Sequence, residues 1–181
     1  MSKTTISTGG IADAGISTAK LADDAVSAAK IADAVALGKL LQIVTATEAT
    51  ELDLSSETFT DVGLSASITP SATSSKVLVF WNIHGRIMES ANGYGSQLVR
   101  GSTNIWSTVR PYYIFGDYTN ERHAPSFNYL DSPSTTSATT YKIQVNTNSD
   151  KRVLFNANDI PSIITLMEIG AWLEKETHYT V

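Results

Sequence analysis

The segment PYYIFGDYTNERH, residues 111–123, gathers the side chains of this sequence that are best suited to bind a ligand. Aromatic rings can stack on the apolar face of a sugar, while amide, carboxylate or guanidinium groups bind its hydroxyls. The pattern predicts a binding surface made of Tyr112, Tyr113, Asp117, Tyr118, Asn120, Arg122 and His123. The alternative is that these rings fill the core or a subunit interface, as aromatic side chains usually do.

Two short motifs resemble the start of a catalytic site. STAK and SAAK, which begin at Ser17 and Ser27, match the S-x-x-K motif of acyl-enzyme chemistry. They recur one sequence repeat apart and no partner motif follows them, so we interpret them as part of a structural repeat. No nucleophile, base and orienting group can be assembled elsewhere, and we expect the chain not to be an enzyme.

A second pattern resembles a metal site. NTNSD places Asn146, Asn148 and Asp150 at the spacing of a calcium loop, but Lys151 and Ala157 stand where that loop needs Gly and Glu. A hairpin turn between YKIQV and KRVLF is the better interpretation. The histidines form no short-spaced pair and cysteine is absent, so we expect no metal and no cofactor.

The overall charge and hydropathy bound the function. The net charge is −5 with scattered Lys and Arg, which gives no electrostatic attraction to nucleic acid or anionic lipid. MSKTTISTGG lacks the apolar core of a signal peptide, and no apolar run reaches membrane-spanning length. We therefore expect synthesis in a cytoplasm, no nucleic-acid partner and no membrane insertion.

The composition changes near residue 41. No aromatic residue and no proline precedes this point, and all fifteen aromatic residues lie at Phe59 or later. Such a shift is typical of a domain boundary. We predict an N-terminal segment, 1–42, and a C-terminal domain, 43–181.

The N-terminal segment repeats every five residues, as ISTGGIADAG, ISTAKLADDA and VSAAKIADAV show. Large apolar residues open the pentads: Ile6, Ile11, Ile16, Leu21, Val26 and Ile31. A step of five advances about 140° past a full helical turn, and in a strand it alternates between faces. One chain cannot bury these residues together, so they predict oligomerisation of several chains around a common axis, as in a homotrimeric fibre.

Other structures for this segment remain open. An Ala-rich helix over 21–42 is one, and for 31–42 the spacing of Ile31, Val35, Leu40 and Leu41 favours a short helical segment. A single-chain pentapeptide β-helix is another, although in this sequence the apolar residue precedes Ala-Asp, whereas in the β-helix motif it follows them.

The C-terminal domain carries the pattern of β-strands. In KVLVFWNIHGR, one face holds Val77, Val79, Trp81 and Ile83, and the other Leu78, Phe80, Asn82, His84 and Arg86. TTYKIQV alternates in the same way, and QLVRGSTNIWS predicts two strands around a Gly-Ser-Thr turn. Strands separated by Gly, Ser, Asn and Pro predict an antiparallel sandwich or jelly roll.

The last predicted strand, within SIITLMEIGAW, is apolar on both faces. Ile163, Met167 and Ile169 lie on one face and Ile164, Leu166 and Trp172 on the other. A strand with two apolar faces at the end of a small sandwich fits a subunit interface. We therefore add Leu166, Met167 and Ile169 to the predicted oligomerisation residues.

Several of these stretches are similar to those of bacteriophage fibre proteins. ISTAKLADDAVSAAKIAD resembles their shaft repeats, and LSASITPSATSSKVLVF, LVRGSTNI, SFNYLDSPSTTSATTYKIQV and ITLMEIGA resemble their small C-terminal domains. The resemblance covers roughly residues 6–171. It implies a mainly β protein: a fibrous repeat stalk followed by a trimeric jelly-roll head, similar in architecture to tumour-necrosis-factor-type heads.

The resemblance also implies a role. The N-terminus would attach to other virion proteins, and the head would be displayed for attachment to a host-surface glycan or protein, after synthesis in the cytoplasm of an infected bacterium. The binding residues of 111–123 would then contact the receptor. Alternatives are a capsid fibre or decoration protein, a structural tail component without receptor binding, and a cellular trimeric binding module.

Overall fold

The computed structural model describes residues 39–113, 119–148 and 151–170, and for 109–113 the backbone alone. All of them belong to the second of two units into which the chain divides, Leu37–Val181. The described residues form β1 (Leu40–Glu48), β2 (Leu52–Leu54), β3 (Thr60–Ile68), β4 (Lys76–Asn82), β5 (Gly85–Ile87), β6 (Gly93–Arg100), β7 (Thr103–Tyr113), β8 (Glu121–His123), β9 (Ser126–Asp131), β10 (Thr139–Thr147), β11 (Val153–Phe155) and β12 (Ser162–Ile169). A 3-10 turn at Ala157–Asp159 connects β11 to β12.

The strands form three antiparallel sheets of four strands each. Sheet I has the order β1-β12-β4-β9, sheet II has β3-β10-β6-β7 and sheet III has β2-β11-β5-β8. Sheet III has the same order as sheet I, with each strand replaced by its neighbour in the sequence: β2 for β1, β11 for β12, β5 for β4 and β8 for β9. In sheets I and II, strands that are neighbours in space are distant in the sequence, as in a jelly-roll-like sandwich. This confirms the predicted mainly β, antiparallel class.

The core lies between the sheets and follows from the alternation of side chains along each strand. In β3 every second residue is buried, from Val62 to Ile68, and β10 buries Tyr141, Ile143 and Val145 in the same way. β4 adds Val77, Val79 and Trp81, and all these residues join one apolar cluster. The predicted core faces of KVLVFWNI and TTYKIQV are therefore confirmed.

Two glycines shape the chain. Gly101, with φ +59°, makes the predicted turn between β6 and β7, because that left-handed conformation strains other residues. Gly85 permits a close approach: a Cβ there would lie 2.7 Å from the ring of Tyr94. The buried Tyr94 hydroxyl thereby reaches the carbonyl oxygens of Ile83 at 3.4 Å and His123 at 3.3 Å.

The structure corrects two details of the sequence prediction. The NTNSD segment does not form a hairpin, because β10 pairs with β3 and β6 whereas β11 pairs with β2 and β5. His84, predicted on one strand face with Asn82 and Arg86, lies after the end of β4 and is buried. The break between β4 and β5 turns its side chain inward.

Residues 40–42, which were expected to end a short helical segment, lie instead in β1. Pairing with β12 explains this, since β1 presents Gln42, Val44, Ala46 and Glu48 as its more buried face. Residues 31–38 lie outside the described part of the chain, as does Trp172.

Candidate functional site

The structure describes part of the predicted binding segment. Tyr112 and Tyr113 lie in β7, opposite Tyr94 and Gly93, and the structure describes their backbone alone. Residues 114–118 lie outside the described chain, and Asp117 and Tyr118 with them. The other three predicted residues lie on and next to β8: Asn120 and Arg122 are exposed and His123 is half-buried.

The strand pairing adds residues that the sequence analysis did not select. β8 pairs with β5, so that Arg86 stands directly opposite Arg122. Asn120 accepts a hydrogen bond from Arg86 Nη2 at 2.9 Å, and Asn158 accepts one from Arg122 Nη2 at 2.7 Å. We call these four residues the arginine site. Arg86 and Asn158 lie more than thirty positions from their partners, so only the fold could reveal them.

Two histidines border the arginine site and both are less basic than usual. Burial, and then the positive charge of Arg122, lower the pKa of His84. Burial also lowers the pKa of His123, against the opposing effect of Glu121. Both rings therefore favour the neutral form at neutral pH, and the positive charge of the site comes from its two guanidinium groups.

The predicted oligomerisation residues fall into three groups. Ile6, Ile11, Ile16, Leu21, Val26 and Ile31 lie outside the described residues. Met167 and Ile169 lie on the outer face of sheet I and are partly exposed. Leu166 was assigned wrongly: its side chain is fully buried in the core of its own chain, because it alternates with Met167 along β12.

The outer face of sheet I carries a row of apolar side chains across all four strands. Ile43, Met167, Leu78 and Leu130 stand directly opposite one another in that order. Ile43 is 54% exposed and Leu130 41% exposed, so the row faces outward. We call these four residues the apolar row.

A pocket of about 230 Å³ lies next to the apolar row. Phe80 and Ile163 line it from neighbouring strands and are themselves 40% and 37% exposed. The other lining residues are Trp81, Asn82, Ser126, Phe127 and Thr165. The row and the pocket together form a contiguous apolar surface of the kind that marks protein interfaces.

The buried acidic groups of the head are held by structural hydrogen bonds. Glu168 accepts from the side chain of Gln42 and from both the backbone N–H (2.7 Å) and hydroxyl (2.6 Å) of Ser71. Asp131, on sheet I, accepts from Arg100 at 2.8 Å and from the Tyr141 hydroxyl at 2.6 Å, both on sheet II. Burial and the bond to Asp131 raise the pKa of Tyr141 far above its ordinary value.

The described part of the chain holds no cluster of three His, Asp or Glu side chains that could bind a metal ion. The side chain of Asn146, from the calcium-like pattern, forms hydrogen bonds with the backbone: its Oδ1 accepts from Gly95 N and its Nδ2 donates to Glu57 O. Among the described residues there is also no helix of the length and hydropathy needed to cross a membrane.

Comparison with known proteins gives weak likenesses. No family model and no curated protein sequence matches the chain. A structure of infectious bursal disease virus Gt strain is 15% identical, with a TM-score of 0.43, over 72% of this chain and 38% of the viral chain. The VP2 subviral particle of that virus is 12% identical, with a TM-score of 0.41, over 72% and 38%.

A third likeness involves a cellular protein. Dimeric latent PorU from Porphyromonas gingivalis is 9% identical, with a TM-score of 0.35, over 72% of this chain and 13% of PorU. The chain thus spans well under half of each of these proteins. Likenesses at this level carry no argument about its activity or partners.

Proposed function

We propose that this chain is a structural virion fibre protein that forms a homotrimer. Its N-terminal repeat would attach to other virion proteins, and its β head would be displayed for attachment to the host surface. The observation that carries this proposal is the apolar row on the outer face of sheet I. A surface of this kind is expected to be covered in the functional assembly.

Further copies of the same chain are the occupants that fit this face. β1 is one of the two edge strands of sheet I and contributes Ile43 to the apolar row, and Leu40 and Leu41 at its start are 53% and 45% exposed. In the sequence, β1 directly follows the five-residue repeat, which one chain cannot bury by itself. If several copies of the repeat associate, they tether the copies of the C-terminal domain at a high local concentration, which favours contact between their apolar surfaces.

The virion location is supported by the resemblance of the repeat and of the head to phage fibre proteins. The same resemblance supports a non-catalytic role without a cofactor. The net charge of −5 also argues against nucleic acid as the partner of the head.

Gold labelling of intact virions with an antibody against residues 43–181 tests the location. Label on the tail or its appendages is the expected result, and binding of the purified trimer to host cells should follow. Label over the capsid would favour a capsid fibre or decoration protein instead. Tail label without cell binding would favour a structural tail component, and absence of label from every virion would overturn the virion role.

A further inference from the structure

The arginine site places two like charges where a sheet normally avoids them. Arg86 and Arg122 are directly opposite across β5 and β8. Residues in such positions have Cβ atoms about 5 Å apart, and like charges there destabilise the pairing. The net charge of the protein is −5, so acidic residues outnumber basic ones. Two adjacent arginines without a carboxylate partner among the described residues therefore point to a ligand that supplies the negative charge.

Among the described residues, three cations are paired with carboxylates, and Arg86 and Arg122 are not among them. Among the described residues, the ion pairs are Arg100 with Asp131, Lys142 with Asp61 and Arg152 with Asp53. Asp53 lies in the same row of sheet III as the arginine site, yet both its oxygens are engaged by Arg152. The partners of Arg86 and Arg122 are neutral amide oxygens, which orient the guanidinium groups without cancelling their charge.

The backbone around the site is held in an uncommon conformation. Asn120 and Asn158, which bind the two guanidinium groups, have φ of 64° and 61°. Such left-handed residues cost energy and cluster at functional sites, where the surrounding structure holds them.

A buried network fixes the turn that carries Asn158. Asn156 donates its N–H to His84 O at 2.9 Å and accepts from the Ser162 hydroxyl at 2.6 Å. Ser162 in turn accepts from His84 N at 2.9 Å. All three residues are buried, so Asn158 projects from a rigid base toward Arg122.

Part of the hydrogen-bonding capacity of the site is unused. Arg86 Nε is buried without a hydrogen-bond partner, and His84 Nδ1 likewise has none. Arg122 is exposed, and its guanidinium group donates one hydrogen bond, to Asn158. Two adjacent guanidinium groups with free donors match the geometry of carboxylate and phosphate oxygens.

We propose that Arg86 and Arg122 together bind a negatively charged group, a carboxylate or a phosphate, of an acidic polysaccharide on the host surface. This inference rests on the proposed role in host attachment, and it names the chemistry of the receptor. The two sources of the oxyanion, a uronic acid and a phosphorylated sugar, are distinguished by the test.

Isothermal titration of the full-length protein at low salt provides that test, with three probes: trigalacturonate, galactose 6-phosphate and neutral galactotriose. At least one charged probe should bind and galactotriose should not. Arg86→Gln and Arg122→Gln should each weaken binding at least tenfold. The control Lys142→Gln, which removes a cation of sheet II that already has a carboxylate partner, should leave it within twofold.

Each outcome decides the proposal. Binding of trigalacturonate alone assigns a uronate, and binding of galactose 6-phosphate alone assigns a phosphorylated sugar. No binding of either charged probe, or equal binding by wild type and both site variants, overturns the proposal. Because Arg86 also contacts Asn120, circular dichroism of each variant is needed, and the exposed Arg122 keeps the test valid if Arg86→Gln unfolds.

Cell binding separates this inference from the proposed function. If the wild-type protein and both arginine variants bind host cells equally, host attachment stands and the arginine site is not the receptor site. If the wild-type protein binds a charged probe but no host cell, the anion site stands and the attachment role fails.

Discussion

At the scale of single residues, Glu168 is expected to control the acid stability of the head. Burial alone would raise the pKa of Glu168, but hydrogen bonds from Gln42 and Ser71 lower it from 4.5 to about 2. The folded state therefore binds this proton more weakly than the unfolded state. Its contribution to stability is complete above about pH 4.5 and is lost as the pH falls toward 2.

Glu168→Gln should lower the free energy of unfolding by about 3 kcal/mol at pH 7, because it removes the charge that these donors stabilise. It should also flatten the pH dependence of stability between pH 4.5 and 2. Urea denaturation across this range measures both effects. The exposed Glu51→Gln serves as control, and an acid profile identical to wild type would show that Glu168 is not responsible.

Asp131 is expected to hold the two main sheets together. Asp131→Asn leaves the Arg100 charge without its carboxylate and weakens the bond from the Tyr141 hydroxyl, so we expect a loss of about 2–4 kcal/mol. Asp53→Asn is the matched control: it breaks the exposed pair with Arg152 and should cost less than about 1 kcal/mol. Similar losses in the two variants, measured by urea denaturation, would contradict the buried network as a special source of stability.

Residue types alone revealed only half of the arginine site. Asn120 and Arg122 stood out because they follow a run of aromatic residues in the sequence. Arg86 and Asn158 carry no such signal, since their relevance depends on the pairing of β5 with β8 and on the left-handed turn after β11. Local spacing carries no information about long-range strand pairing, so Arg86 and Asn158 could not be predicted from the sequence.

At the scale of the strands, alternation predicted which residues are buried but not where strands break. Val77, Val79, Trp81 and Ile83 are buried as expected. The same alternation continued the strand through His84 and Arg86, because it gave no sign that β4 ends at Asn82. Likewise, the apolar start of β1 looked helical, since only its pairing with β12 makes it a strand.

The apolar row gives a prediction about this outer face. Ile43→Asp and Leu130→Asp should each reduce the proposed trimer to lower oligomers, because each would place several carboxylates in the proposed apolar interface. Both positions are more than 40% exposed within one chain, so the fold itself should survive, as circular dichroism can show.

Light scattering measures the mass of each variant. Ser65→Asp, at an exposed position of β3 in sheet II, is the control and should keep the wild-type mass. A wild-type mass in both outer-face variants would exclude this face of sheet I as the subunit interface.

At the scale of the whole molecule, the repeat is expected to contribute to assembly independently of the head. Ile16→Asp or Ile31→Asp should weaken trimerisation, because each would bring three carboxylates close to one axis. The effect should appear as a lower mass at dilute concentration in sedimentation experiments. If both variants match the wild type at every concentration, the shared-axis interpretation of the five-residue repeat is wrong.

A protein shortened to begin at Lys39 should remain folded, because β1 starts at Leu40 and every strand of the three sheets is kept. We expect it to remain trimeric through the apolar row, with a weaker association than the full chain. A folded monomer would show that the repeat supplies the association, and an unfolded chain would show that the head depends on residues before Lys39.

The position of β12 has a consequence for how the protein is made. β12 lies between β1 and β4 in sheet I, so β1 has no partner in the sheet and β4 has β9 alone until β12 has been synthesised. Gln42 and Glu168, which meet across this pairing, are 126 positions apart. Closing such long loops is slow, and strands that wait unpaired are prone to aggregate. The head should therefore fold only after most of the chain has left the ribosome. Chaperones would then be needed most while several incomplete chains are being synthesised close together on one messenger RNA.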